Sequence, residues 1–148
     1  MQIRRLLLAL TLFLAAALPQ RSLAAISLAG GGYLQGENGS AAAIVSSGAA
    51  IPVVPLEVQG SLMLPFTGQG GYAATAEIRG FTGGGYGGAY VGVGAGVGTL
   101  STDRSSGTVF TFLAGKSIAP LTSFEIRVYK QTNASGETGA FIGLRFSL

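Results

Sequence analysis

The chain has 148 residues, a formal net charge of +3, no cysteine and no histidine. This composition excludes a disulfide framework, a zinc site of the Cys/His type and a catalytic triad that uses histidine as its base. The positive balance gives no indication of nucleic-acid binding, because the excess comes from Arg4, Arg5 and Arg21 in one N-terminal segment.

That N-terminal segment has the three parts of a secretory signal peptide. Arg4 and Arg5 precede an apolar run over residues 6–18, which is shorter than the roughly 20 residues of a spanning helix, and Ser22-Leu23-Ala24 provides a small-residue cleavage site. We therefore expect residues 1–24 to be a cleaved signal peptide and residues 25–148 to form one exported domain. Six acidic and six basic residues remain in that domain, so it is neutral by count.

The exported domain has the pattern of an all-β protein. No long stretch shows a helical apolar period, and turn-forming clusters of Gly, Pro, Asn and Ser recur about every dozen residues. These turns delimit eight predicted strands, which are 26–35, 40–51, 56–66, 72–82, 88–100, 108–118, 122–132 and 138–148.

Several of these strands alternate apolar residues with charged ones. The seventh strand places Phe124, Ile126 and Val128 on one face and Glu125 and Arg127 on the other. Across the third, fourth, seventh and eighth strands, six charged residues fall in this way on the face opposite to the apolar one: Glu57, Glu77, Arg79, Glu125, Arg127 and Arg145. Such alternation fits a soluble barrel or sandwich with a wet charged face, and it also fits a membrane barrel with a charged interior.

The charges favour the membrane barrel. The six residues are three acids and three bases, and the exported domain has two lysines, whereas the surface of a soluble domain is rich in charge and in lysine. A sparse and balanced set suits a narrow interior in which every ion needs a partner. We therefore predict an eight-stranded antiparallel up-and-down transmembrane β-barrel with a structural network of ion pairs inside, formed by Glu57, Glu77, Arg79, Glu125, Arg127 and Arg145.

The fifth strand reads GAYVGVGAGVGTL over residues 88–100 and places glycine at alternate positions. If Val91, Val93 and Val97 face outward, the glycines at 92, 94, 96 and 98 line the interior and leave room for long side chains from opposite strands. A phosphate-binding loop is excluded, because Val97 stands where its third glycine would be.

Three stretches carry a family resemblance: Gly31-Gly32-Tyr33, then 90–96 (YVGVGAG), and Gly143-Leu144-Arg145-Phe146 near the end. With them, residues 25–148 resemble the small OmpA-like outer-membrane β-barrel proteins. The resemblance implies a monomer in the outer membrane of a Gram-negative-type envelope, surrounded by its lipid and inserted by the barrel-assembly machinery. That machinery reads alternate apolar residues before a terminal aromatic residue, and here Leu148 replaces the aromatic residue.

The inventory of reactive side chains predicts a protein that is not an enzyme. Lipid-modifying barrels use a histidine base that this chain lacks, and its scattered carboxylates do not have the spacing of a metal site. No cofactor is predicted. Because eight strands enclose only a space that side chains fill, no open pore is expected, and a structural role in the envelope or a loop-mediated interaction remains.

The alternative is a soluble exported β-barrel that binds a small apolar ligand, with Phe110, Phe112 and Phe141 as its lining. Strands 40–51 and 108–118 leave this alternative open, because neither sequence settles which of its faces points inward.

Overall fold

The computed structural model describes residues 25–51, 53–66, 71–82, 88–100, 105–132 and 137–148. The predicted signal peptide lies outside these residues. The described part is all-β, and its eight strands agree with the predicted ones to within two residues: β1 (Ala25–Gln35), β2 (Asn38–Ile51), β3 (Leu56–Pro65), β4 (Ala73–Thr82), β5 (Ala89–Gly98), β6 (Gly107–Ala119), β7 (Thr122–Thr132) and β8 (Thr138–Ser147). None of the described residues forms a helix long and apolar enough to cross a membrane.

The eight strands form one closed antiparallel barrel. Each strand pairs with the next, and β8 pairs with β1. If one starts at Ala25 and moves from each residue to its direct partner on the next strand, one trip around the barrel ends at Gln35 of the same strand. The strands are therefore staggered by ten residues. Closure with such a stagger tilts the strands by about 35–45° and leaves an interior just wide enough for side chains.

The two ends of the barrel carry different connections. β1 begins and β8 ends at one end, which we call the terminus end, and the connections after β2, β4 and β6 lie there as well. The opposite end, the loop end, carries the connections after β1, β3, β5 and β7. The first of these is the tight turn at Gly36 and Glu37, where Gly36 has a φ of +57°. Because the ladder continues up to this turn, β2 begins at Asn38, two residues earlier than predicted.

Side chains alternate between the interior and the outer surface. The glutamate and arginine side chains of the strands point inward and most large apolar ones outward, which is the reverse of a water-soluble protein. The buried residues include Glu77, Arg79, Glu125, Arg127 and Arg145, whereas the outer surface carries exposed Leu, Ile, Val and Phe side chains on all eight strands. The register also assigns the two ambiguous strands, and it turns Ile44 of β2 and Val109, Thr111 and Leu113 of β6 inward.

Candidate functional site

All six charged residues of the predicted network project into the barrel interior or its rim. Glu57 lies on β3 and Glu77 and Arg79 on β4, while Glu125 and Arg127 lie on β7 and Arg145 on β8. The strand order places β3 and β4 on one side of the barrel and β7 and β8 on the other. Contacts between the two groups therefore cross the interior.

Arg127 is the centre of these contacts. Its Nη1 lies 2.7 Å from Oε1 of Glu77 across the interior, and its Nε lies 2.6 Å from Oε1 of Glu125 on its own strand. All three side chains have no solvent exposure. One guanidinium thus bridges two fully buried carboxylates.

Arg145 extends this group toward the terminus end. Its Nη1 lies 3.3 Å from Oε2 of Glu125, and its Nη2 donates a hydrogen bond of 3.0 Å to Oε1 of Gln59. The Gln59 amide in turn donates to Glu77. Glu77, Arg127, Glu125 and Arg145 therefore form one connected cluster, which we call the central cluster.

Arg79 and Glu57 form a separate pair at the terminus end. Arg79 Nη2 lies 2.6 Å from Oε1 of Glu57, whose side chain remains 15% exposed. The guanidinium carbon of Arg79 also lies 5.3 Å from the ring centroid of Phe81 and 5.0 Å from that of Tyr90, a geometry that permits cation–π attraction. Among the described residues, no ion pair joins Arg79 or Glu57 to the central cluster.

Neutral side chains also donate hydrogen bonds to the carboxylates of Glu77 and Glu125. These donors were not predicted from the sequence. Tyr90 donates to Glu125 at 2.6 Å, while Ser61 and Thr75 donate to Glu77 at 3.0 and 2.7 Å. The direct pairing of Ser61 with Thr75, and of Gln59 with Glu77, brings these groups together. Thr75 could have been found from the sequence, since it shares the face of Glu77 two residues away.

This arrangement fixes charge and offers little reactive chemistry. Glu77 accepts four hydrogen bonds and Glu125 three, so most of the lone pairs that a general base would use are already occupied. Over the described ranges, no three His, Cys, Asp or Glu residues come close enough together to hold a metal ion. The geometry is that of an ion-pair network inside the barrel.

The half of the interior nearer the loop end is filled mainly by apolar and aromatic side chains, with Gln35 and the fully buried Gln131 among them. The apolar and aromatic side chains are fully or almost fully buried, and they are Tyr33, Ile44, Met63, Leu100, Val109, Tyr129 and Phe141. Leu100 follows β5, and its backbone is held by two glutamines: its carbonyl accepts from Gln35, and its N–H donates to Gln131. The barrel interior is therefore charged toward the terminus end and packed mainly with apolar and aromatic side chains toward the loop end.

At the inward glycines Gly92 and Gly94 of β5, an added Cβ would first meet a backbone carbonyl oxygen of β4, at 2.7 and 2.5 Å, and the side chains nearest to it have a different source than predicted. A Cβ added at Gly94 would lie 2.6 Å from Cγ of Glu77 and 3.0 Å from Cγ2 of Thr111, which belong to the adjacent strands β4 and β6. At Gly92 it would lie 3.0 Å from Cγ of Arg79. The expectation of side chains from opposite strands was wrong at these positions, because the direct cross-strand neighbours fill the space first.

The apolar pocket of the alternative interpretation does not form from its predicted lining. Phe110 and Phe112 are exposed on the outer surface, and only Phe141 lies inside, where it is fully buried. The register explains the difference: Thr111 pairs with inward-facing Gly94 and Tyr129, so its two phenylalanine neighbours must face outward.

Comparison with known proteins bears on the fold. No protein-family profile and no curated protein matches the sequence. Among solved structures, the chain is similar to the N-terminal β-barrel domain of OprF from Pseudomonas aeruginosa, with a TM-score of 0.59 and 16% identity over 86% of this chain and 100% of that one. It is also similar to Ail, the attachment invasion locus protein of Yersinia pestis, solved in complex with the heparin analogue sucrose octasulfate, with a TM-score of 0.51 and 16% identity over 84% of this chain and 97% of that one.

Both of these structures are outer-membrane β-barrels of the OmpA-like type. The predicted resemblance and the predicted eight-stranded barrel are thereby confirmed at the level of the fold.

Proposed function

We propose that this protein is a small, non-enzymatic barrel that spans an outer membrane as a monomer. The observation that carries the proposal is the inverted distribution of side chains, with paired charges inside and an apolar outer surface on every strand. Water-soluble monomers rarely expose contiguous apolar patches larger than a few hundred Å². In hydrocarbon the same surface is favourable, and the closed ladder leaves no unpaired strand edge.

The dimensions and the two lysines support a spanning position. The strands have 10 to 14 residues, and a tilted transmembrane strand needs about 9–11. Lys116 and Lys130 lie on the outer surface, one near the terminus end and the other near the loop end. Long lysine side chains at such positions extend their ammonium groups to the membrane surface. The sequence-based signal peptide and the likeness to outer-membrane barrels support the outer membrane as the location.

The chemistry of the described residues favours a structural role in the envelope. The interior offers fixed ion pairs, and the connections at the loop end have two to eight residues, which leaves little surface for specific recognition. Ail was solved with a sulfated ligand, which basic side chains would bind, but the described loop end here carries Glu37, Glu137 and Lys130, which do not make a basic cluster. We therefore favour a structural role in the membrane over recognition of a partner through the loops.

Cell fractionation tests the location. We expect the protein in the outer-membrane fraction, resistant to high-salt washing and released by detergent, with a mature N-terminus at Ala25 after cleavage behind Ala24. A periplasmic protein without a membrane segment serves as the control for lysis. Recovery of the folded chain in the soluble periplasmic fraction without detergent would contradict the proposal.

We further propose that the barrel does not conduct ions. The support is the apolar half of the interior, where Tyr33, Met63, Tyr129 and Phe141 are each 0–1% exposed. Close-packed apolar side chains exclude water, and an ion that crossed them would lose its hydration without gaining a partner.

Planar-bilayer recording tests this second proposal. The purified mature chain is expected to give no steady conductance after insertion. As a positive control, the double variant Tyr129→Ser, Phe141→Ser replaces two large side chains of the apolar half by small polar ones and is expected to conduct. Reproducible conductance steps from the unaltered protein would reclassify it as a small channel.

A further inference from the structure

The connections at the terminus end are unusually apolar. They read PVVP over 52–55, GGGYGG over 83–88 and PL over 120–121, and none of them contains a charged residue. Three of the four connections at the loop end contain charged residues, which are Glu37, then Asp103 and Arg104, and Glu137, whereas the fourth, 66–72, contains none. Turns that stand in water are dominated by Gly, Asn, Asp, Ser and Pro, so apolar branched residues at turn tips are the exception.

Three side chains at the terminus end are the most exposed large apolar ones among the described residues. Val53 is 103% exposed, Leu148 77% and Leu121 71%. Val53 and Leu121 also have positive φ angles, of 75° and 58°. Such a backbone is unfavourable for a residue with a side chain, and most of all for a β-branched one. In water, these turns would combine backbone strain with apolar exposure.

These exposed residues continue the apolar outer surface of the barrel. The N–H of Leu148 donates to the carbonyl of Ile26 at 2.8 Å, and the N–H of Ser147 donates to the carbonyl of Leu121 at 2.8 Å. Leu121 and Leu148 therefore lie beside β1 and β8. Ile26 and Ile118 are also exposed, and they lie between these terminus-end residues and the apolar side chains farther along the strands. The apolar surface thus extends through the strand ends to the turns.

From this continuity we infer that the terminus-end turns at 53–55 and 120–121 are immersed in the headgroup region of the adjacent lipid leaflet. The inference rests on the proposed membrane location and adds the depth of the barrel in the bilayer. Lipid is the partner that fits, because the headgroup boundary accepts apolar side chains and still hydrates the backbone of a turn. Lys116, two residues before Ile118, is placed for its ammonium group to reach the lipid phosphates.

Single tryptophans test the depth, because the chain contains no tryptophan of its own. Val53→Trp and Leu121→Trp place the probe in two independent terminus-end turns. Val93→Trp places it on the outer surface in the middle of β5, and Glu37→Trp is the matched control in the loop-end turn. The folded variants are reconstituted in phosphatidylcholine vesicles that contain lipids brominated either near the headgroup or deep in the acyl chain.

We expect blue-shifted emission from Val53→Trp and Leu121→Trp and stronger quenching by the shallow bromine than by the deep one. Val93→Trp is expected to show the reverse order, and Glu37→Trp to emit as in water and to be quenched by aqueous iodide. If Val93→Trp is quenched by the deep bromine while both turn variants emit as in water, the inference is overturned, and the turns are free for a protein partner. If Val93→Trp is not quenched either, the membrane location itself fails.

Discussion

Replacement of Arg127 by leucine is expected to lower the free energy of unfolding by about 3–5 kcal/mol. The substitution removes the cation that lies 2.7 Å from Glu77 and 2.6 Å from Glu125, and both carboxylates are fully buried. A buried charge that loses its partner keeps the full cost of its desolvation, and this cost is larger than the net stability of the intact pair. Glu77 depends on Arg127 most, because its other described partners are neutral.

The measurement is urea-induced unfolding in lipid vesicles, followed by circular dichroism. Arg79→Leu is the matched control, and we expect a smaller loss because its partner Glu57 is partly exposed and can be hydrated. The double variant Arg127→Leu, Glu77→Gln is expected to regain part of the stability, since it removes the carboxylate that has lost its cation and leaves Glu125 paired with Arg145. An unchanged midpoint for Arg127→Leu would show that the contacts of the central cluster are not those described.

Replacement of Val93 by arginine is expected to cost about 2–4 kcal/mol in vesicles, because the position lies at the middle of a strand whose outer surface faces lipid in the proposed location. Val93 is 56% exposed on the outer surface, so in a water-soluble barrel the same change would be tolerated or would improve solubility. The result therefore separates lipid from water as the surroundings of this surface.

Thr108→Arg provides the control at the loop-end edge of the same surface, directly across from Val97. A charge near the membrane boundary costs about 0–1 kcal/mol, so this variant should unfold close to the unaltered protein. Equal stability of Val93→Arg and Thr108→Arg in vesicles would be inconsistent with a membrane-spanning outer surface.

The sequence predicted the strands and most faces because both depend on local patterns. In β7, three apolar residues alternate with Glu125 and Arg127, and no other fold of that stretch separates them as well. The faces of β2 could not be predicted, because its small Ala, Ser and Gly residues differ too little from one another. They follow only from the pairing with β1 and β3, which places Ile44 opposite Ala29 and Met63.

The contacts between the interior charged residues could not be predicted from local sequence patterns. Alternation shows that Arg127 and Glu77 both face inward, but these residues lie on β7 and β4, and their meeting depends on the ten-residue stagger of the closed barrel. The same reasoning explains the error at Phe110 and Phe112, since a strand that is apolar on both faces gives no local sign of its register.

The strict alternation has a consequence for how such a chain can change in length. Insertion or deletion of one residue inside a strand reverses the parity of every position on one side of the change. In β6 it would bring Phe112 inside and send Thr111 or Leu113 out, whereas removal of two residues would keep both faces and only shorten the strand. Viable length variants within these strands are therefore restricted to even steps, and odd steps are confined to the turns or to bulges such as the one between Ser117 and Ala119.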